Sequence, residues 1–428
     1  MSNPAHRSYS QFPLRRFVHE MTDGPFGSSL TSSHYSDEGA RVIRLGNIGS
    51  ARFKNSDEVF ISLDYFNELK RHEVKSGDLL IAGLGDERHP VGRACIAPDD
   101  LGPAIVKADC YRVRLDEKRL THRFAAWALC SSYVADQVSA SSRGSTRSRI
   151  NLEVAREIVL PVPHVEEQRR IADFLDAETA RIDRLSSLQQ QVVHLLDERE
   201  SAQLDLAIDE LVGRHSDVPL RRFLWGVDQG TSPQCEAVPA GENEWGVLKV
   251  SSLRPGLFLP HENKRLPEGV EPDRTSEVHD GDLLITRANT PQLVGSTAVV
   301  RGARSKLLLS DKIFRVRLTR EMSPDFVAAV ARGSRIRALC AAGSNGASQS
   351  MANIRFDEVK AWPLPAVGPD LQRDLVHRSS RARAQLDALR KKVNRQLHLL
   401  AERRQALITA AVTGQIDVST ASGRDIED

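Results

Sequence analysis

The chain repeats itself once. "FPLRRF" at 12–17 returns as "VPLRRF" at 218–223, and "VKSGDLLIAG" at 74–83 returns as "VHDGDLLITR" at 278–287. "YRVRL" at 111–115 matches "FRVRL" at 314–318, "LPVP" ending at Pro163 matches "PLP" ending at Pro365, and "HLLDER" from His194 matches "HLLAER" from His398. The offset stays between about 202 and 206 residues, far longer than a solenoid period, so a whole domain with its trailing segment is duplicated.

Each copy mixes two periodicities. Short apolar runs such as "RVIRLGNI", "DLLIAG" and "CYRVRL", broken by Gly and Pro, predict strands, and "HRFAAWALCSSYVADQV" and "SPDFVAAVARGSRIRALC" predict one amphipathic helix per copy. The fold class is therefore α+β. After Pro163 the sequence runs from Glu166 to Glu200 without proline or glycine, and its twin starts after Pro369, so a long helix follows each mixed domain. The expected divisions are 1–163, mixed domain; 164–212, central helix; 213–365, second mixed domain; 366–414, C-terminal helix; and 415–428, flexible tail.

Apolar residues at 4/3 spacing (Ile171, Leu175, Ile182, Leu185, Val192 and Leu196, then Leu386, Leu389, Val393, Leu400 and Leu407) give each helix a narrow seam suited to coiled-coil pairing. A rod of ~45 residues spans roughly 65 Å and needs a partner to be stable. Charge supports mutual pairing. Residues 164–212 hold 5 basic and 12 acidic side chains, whereas 366–428 hold 11 and 8. Because the chain must go out along one helix and return along the other, the sequence predicts an antiparallel pair and an approximate two-fold repeat.

Composition excludes several classes. With 59 basic and 57 acidic residues the whole chain is nearly neutral, and no stretch approaches ~18 apolar residues, so no membrane span is expected. The opening "MSNPAHRSYSQFPLRR" lacks a signal-peptide core, which points to the cytoplasm. Five scattered cysteines with no C-x-x-C pair argue against a zinc site or a disulfide framework, and the histidines form no ligand spacing. Neither a phosphate loop nor a dinucleotide fingerprint occurs. The Asp/Asn-Pro-Pro-aromatic tetrapeptide of amino-methyltransferases is also missing, since "ANTPQ" lacks its second proline and aromatic.

Several stretches resemble the specificity subunits of type I restriction-modification systems: "DGPFGSSL" and "VIRLGNIG" in copy one, "GTSPQ", "EWGVLKVSSL" and "TRANTPQLVG" in copy two, and above all "LPVPHVEEQRRIADFLD" and "RRQALITAAVTGQIDV". The second helix start departs from the pattern, with "VGPDLQRDLV" in place of the acidic-acidic-glutamine opening. The resemblance implies two target-recognition domains on antiparallel coiled-coil helices, reading double-stranded DNA as a bipartite target with one half-site each. It further implies a chain without a catalytic role, carrying two methylation subunits and, in the full complex, two restriction subunits. S-adenosylmethionine, ATP and magnesium would then sit on those partners, with no cofactor on this chain.

Candidate DNA contacts follow from side-chain chemistry. In "SSRGSTRSRIN", Arg143, Arg147 and Arg149 stand among Ser145 and Thr146; arginine grips guanine O6/N7 or phosphate, and hydroxyls bond phosphate or base edges. The equivalent "NGASQSMAN" offers Asn345, Ser348, Gln349 and Asn353, amides that suit adenine. After the "GDLL" strands come Arg88 in copy one and Arg287, Asn289 and Gln292 in copy two, and "GPFGSS" supplies Ser28 and Ser29. The alternative for each is an ordinary solvated loop or turn. Leu188, Leu195, Leu397 and Leu399 lie off the predicted seam and are candidate contacts for methylation subunits. A stand-alone DNA-binding regulator would need a helix-turn-helix or basic helix, which the sequence lacks, and a coiled-coil adaptor would leave the duplicated domains unexplained.

If the helices set the distance between two DNA readers, one heptad inserted near Leu188 and another near Lys392 should keep both seams and add roughly 10 Å, about three base pairs at ~3.4 Å each. Mapping methylated sites should then show a spacer longer by up to about three base pairs, or lost activity on the original target. Full methylation with an unchanged spacer would refute that role.

Overall fold

The computed structural model describes residues 9–86, 89–141, 148–343 and 351–418. It divides into two compact units, Met1–Gln190 with Arg395–Asp428, and Gln191–Asn394. The central helix, Val165–Val212, and the C-terminal helix, Pro369–Thr413, each contribute one half to each unit.

In the first unit the apolar runs form a four-stranded antiparallel sheet in the order Val18–Thr22, Cys110–Leu115, Leu79–Ala82, Ala94–Ile96. The run "LLIA" is continuous rather than alternating because both faces are covered: Leu79 and Ile81 enter one core cluster while Leu80 and Ala82 enter another. A second, mixed sheet contains Ala40–Ile43 parallel to Ala104–Val106. The second unit repeats the plan. Leu224–Gln229, Ile313–Leu318, Leu283–Thr286 and Thr297–Val299 form its four-stranded sheet, and Gly246–Leu248 runs parallel to Leu307–Leu308 in the smaller one. The matched strands "RVRL" carry matched ion pairs: buried Arg112 bonds Glu20, and buried Arg315 bonds Asp228 and Asp282.

The single amphipathic helix expected in each copy is two helices. His122–Leu129 stops before Ser132–Ser141, and Pro324–Arg332 stops at Gly333, whose extended backbone (ψ 151°) precedes Ser334–Gly343. The cause lies on the long helices. Thr409 Oγ1 accepts the backbone N–H of Ser132 (3.0 Å), and Asp205 Oδ1 accepts that of Ser334 (2.8 Å), so each second helix has its otherwise orphaned N-terminal donor satisfied from outside. The break lets the first helix lie flat and almost wholly buried, as Phe124 through Leu129 show.

Each mixed domain is closed where it meets its trailing helix. Gln11–Pro13 pairs with Val159–Pro161, and Asp217–Pro219 pairs with Pro363–Pro365. Buried Gln168 then accepts the N–H of Thr121 (2.8 Å) and donates to Arg119 and Pro163 carbonyls (2.9 Å each). Gln372 does the same with Ser323, Glu321 and Val367. The unusual start of the second helix has therefore kept the residue that anchors it.

Helix pairing is antiparallel within the second unit, where Arg378 meets Glu210 and Arg390 meets Asp197. The seam keeps most of the predicted residues, Ile171, Leu175, Ile182, Leu196, Leu386, Val393, Leu400 and Leu407 being buried or half-buried, but departs from the prediction at three. Leu185, Val192 and Leu389 are 50%, 40% and 45% exposed. The inward row of the central helix is Ile182, Ser186, Gln189, Val193, Leu196, Glu200 and Leu204, all buried or half-buried, one step round from the more apolar stripe. Charge and domain packing set that rotation. Glu200 binds Arg332 (2.6 Å) and Arg390 (2.8 Å), and in the first unit Asp183 binds Arg404 (3.1 Å). Residues 415–418 of the expected tail are packed: Gln415 donates its N–H to Ala410 O and Val418 joins the core of the first unit, while 419–428 lie outside the described residues.

Replacing Gln168 or Gln372 by alanine should strand three buried backbone groups and cost about 1–3 kcal/mol each. Urea unfolding of the full chain measures it, with exposed Gln190→Ala as the control expected within about 0.5 kcal/mol of the parent.

Candidate nucleic-acid interface

Two short strand pairs bring the predicted loops together. In the first unit Ser148–Arg149 pairs with Leu84–Gly85, which joins the end of the "RGSTR" loop to the start of "GDERHP". In the second, Ala352–Asn353 pairs with Ala288–Asn289, joining "NGASQSM" to "TRANTPQ". Backbone hydrogen bonds extend both pairs, Ile150 N–H to Gly83 O and Ile354 N–H to Arg287 O, each 2.9 Å. A third segment enters each site past a glycine: a Cβ on Gly24 would stand 2.1 Å from the Lys107 carbonyl carbon, and one on Gly230 would stand 2.0 Å from Leu309 O. That close approach admits only glycine.

In the first site Arg149 is exposed, ion-paired with Asp109 (2.8 Å), and lies over the ring of Phe26 at 6.0 Å. Ser28 and Ser29 are exposed in a 3-10 turn, with Ser29 O accepting from Tyr65 Oη (2.5 Å). Arg88, Arg143, Ser145, Thr146 and Arg147 lie outside the described residues. A residue that sequence reasoning did not single out ties the described segments of this site together. Arg93 is buried and donates to the carbonyls of Leu45, Ile48, Leu84, His89 and Pro90. Asp23 is a second such residue. Its Oδ1 accepts N–H groups of Gly24 (2.7 Å) and of Asp109 (2.8 Å), and so fixes Asp109 in its left-handed conformation (φ 64°).

The second site contains a cavity of about 480 Å³ whose lining includes Ser232, Lys249, Lys264, Asn289, Lys312 and Met351. Lys249 pairs with Glu262 (2.8 Å) and Lys312 with Asp311 (3.1 Å). Asn289 lies half-buried at the wall, with its Oδ1 accepting Thr290 N–H (2.9 Å). Arg287 is half-buried and donates its backbone N–H to Lys312 O (2.7 Å). Gln292 is exposed, and its carbonyl accepts from Arg337. Asn353 is half-buried on the paired strand. Asn345, Ser348 and Gln349 lie outside the described residues. Sequence reasoning missed the three lysines, because only strand register brings 249, 264 and 312 to one hollow. Where the first site has Arg149 against Asp109, the corresponding positions of the second are Asn353 and Lys312. The two sites are alike in backbone and different in chemistry.

Of the predicted partner contacts, Leu188, Leu195 and Leu399 are 48%, 60% and 53% exposed. Leu397 is instead half-buried, in the inward row with Val393 and Leu400. Among the described residues no group of three His, Cys, Asp or Glu is arranged to hold a metal.

Each copy of the duplicated mixed domain thus brings its loops together on one polar site through the same strand pair. Residues 31–193 match the type I restriction modification DNA specificity domain. The chain is 34% identical over 140 residues to the Type I restriction enzyme EcoEI specificity subunit of Escherichia coli, covering 32% of this chain but only 24% of that protein. It is 24% identical over 402 residues to the EcoKI specificity subunit of Escherichia coli K12, covering 90% of this chain and 84% of that one. A chain of a solved type I R-M system, determined in work on its complex assembly and conformational transition, superposes over 97% of this chain with a TM-score of 0.66 at 16% identity. Residues 31–193 therefore carry a type I restriction modification DNA specificity domain.

Burial pushes the Asp23 carboxyl up to about 6 from its ordinary 3.8, with the Asp109 charge adding to the shift. The folded state thus holds this proton more tightly than the unfolded chain, so the stabilisation is present at low pH and is lost as pH rises from about 4 to about 6. Asp23→Asn keeps the acceptor and removes the titration. In thermal unfolding of the full chain from pH 4 to pH 8, the melting temperature of the variant relative to the parent should rise through that window and then level off. A difference that does not change with pH would show that Asp23 does not titrate there.

Proposed function

We propose that this chain selects the DNA target of a type I restriction-modification complex by reading a bipartite sequence, one half-site with each mixed domain. The observation that carries the proposal is the duplicated strand pair. In both units it converges equivalent loops on one site, furnished in one with Arg149 and serines and in the other with three lysines and an asparagine. Lysine and arginine supply attraction to phosphate, and amide and guanidinium groups supply base discrimination. Dissimilar chemistry on a common frame is what two different half-sites require.

The same reading makes the chain a non-catalytic scaffold for two methylation subunits and two restriction subunits, with S-adenosylmethionine, ATP and magnesium held by those partners. Exposed Leu188, Leu195 and Leu399 on the long helices are contacts we assign to the methylation subunits. Among the described residues no helix is long and apolar enough to cross a membrane, and work on chromosomal DNA would place the complex in the cytoplasm.

The test is the pattern of methylated bases in host DNA with and without the gene: a single bipartite motif should vanish on deletion. Lys264→Ala should weaken binding by the reconstituted methylation complex and, if Lys264 meets phosphate, lower the slope of log affinity against log salt by about 0.9. An unchanged methylation pattern after deletion would overturn the proposal.

A further inference from the structure

The cavity of the second unit has two characters. Its charged groups are the ammonium groups of Lys249, Lys264 and Lys312, but much of its wall is apolar, from Val247, Leu248 and Pro233 to Met351 at the rim. Val247 and Leu248 are buried, while Met351 is 49% exposed beside it. A phosphate needs cations and N–H donors and gains nothing from an apolar wall. Guanine and cytosine edges in the major groove offer only polar atoms, whereas thymine alone adds a C5 methyl group. Its partner adenine is the base an asparagine amide reads through N6 and N7. Asn289 lines the same cavity as Met351, and its Oδ1 bond to Thr290 N–H orients the amide while leaving an acceptor lone pair and both Nδ2 hydrogens. Methionine is the side chain best able to adapt to a methyl-sized neighbour.

Building on the assignment of this unit as a DNA reader, we infer that its cavity recognises an A·T pair from both bases, Asn289 facing adenine and the wall at Met351 and Pro233 taking the thymine methyl group. The lysines hold the flanking phosphates and set how deeply the groove edge enters. In the first copy the sequence positions equivalent to Asn289 and Met351 are Gly85 and Arg147, neither an amide nor a thioether.

The experiment uses the full chain reconstituted with its methylation subunits and duplexes carrying the motif mapped from methylated host DNA. Uracil replaces thymine in one half-site at a time, which removes only the methyl group. Binding should weaken about four-fold per buried methyl in one half-site. In Met351→Ala that penalty should shrink toward none, while a thymine duplex binds the variant more weakly than the parent. Equal binding of uracil and thymine duplexes in both half-sites, an undiminished penalty in Met351→Ala, or a half-site without any A·T pair would overturn the inference while leaving bipartite recognition intact. Failure to prefer the mapped motif over scrambled DNA would overturn that reading and this inference with it.

Discussion

Burial of helix ends inside domain cores is the constraint on which the structure depends. Ile171, Ala172 and Leu175 of the central helix and Ile408, Ala411 and Val412 of the C-terminal helix belong to the main core of the first unit. Leu204, Ile208 and Leu211, with Leu375, belong to that of the second. Neither mixed domain completes its apolar core without the beginning of one long helix and the end of the other. Polar anchors repeat the arrangement: Gln168 and Gln372 hold the helix starts, and Thr409 and Asp205 cap a domain helix from the helix ends.

This accounts for the choice of seam. A free pair of these helices would turn the more apolar stripe of Leu185, Val192 and Leu389 inward, since burying a leucine stabilises by roughly 1.5–3 kcal/mol. Rotation is already fixed by the domains at the helix ends, so those residues stay outside and Glu200 points inward. A buried carboxylate is costly unless paired. Arg332 and Arg390 bond it, and Arg383 approaches to 3.8 Å. At the position of the repeat equivalent to Glu200 stands Arg404, which pairs with Asp183 and lies over Trp127. Opposite charges at equivalent positions make each helix a better partner for the other than for a copy of itself.

The two sites show how one backbone serves two chemistries. The strand pair, the close glycine and the parallel strands beneath are common to both, so loop residues can differ without altering the frame. Arg44 and Lys249 stand at matching places after the matching strands, each beside a carboxylate, Asp57 and Glu262. In the first site the buried guanidinium of Arg93 binds five carbonyls; in the second, at the corresponding place, the side chain is the Ser296 hydroxyl, which donates to Leu293 O. Loops are where function varies while the scaffold keeps its packing.

The sequence by itself determined the duplication, the mixed helix-and-sheet class and the two long helices, because these follow from repeats and from local periodicity. It also matched "LPVP" with "PLP", and both segments supply a closing strand followed by a glutamine, Gln168 or Gln372, that makes the same bonds. Tertiary structure decided the rest. Which stripe faces inward depends on cores more than a hundred residues distant in the chain, and the break at Gly333 depends on a cap supplied by Asp205. Lys249, Lys264 and Lys312 are unremarkable in sequence and share a cavity only through strand register. Asp23 and Arg93 are invisible for the same reason: their partners are backbone N–H and C=O groups, which every residue has, and only the folded chain aims those groups at one side chain.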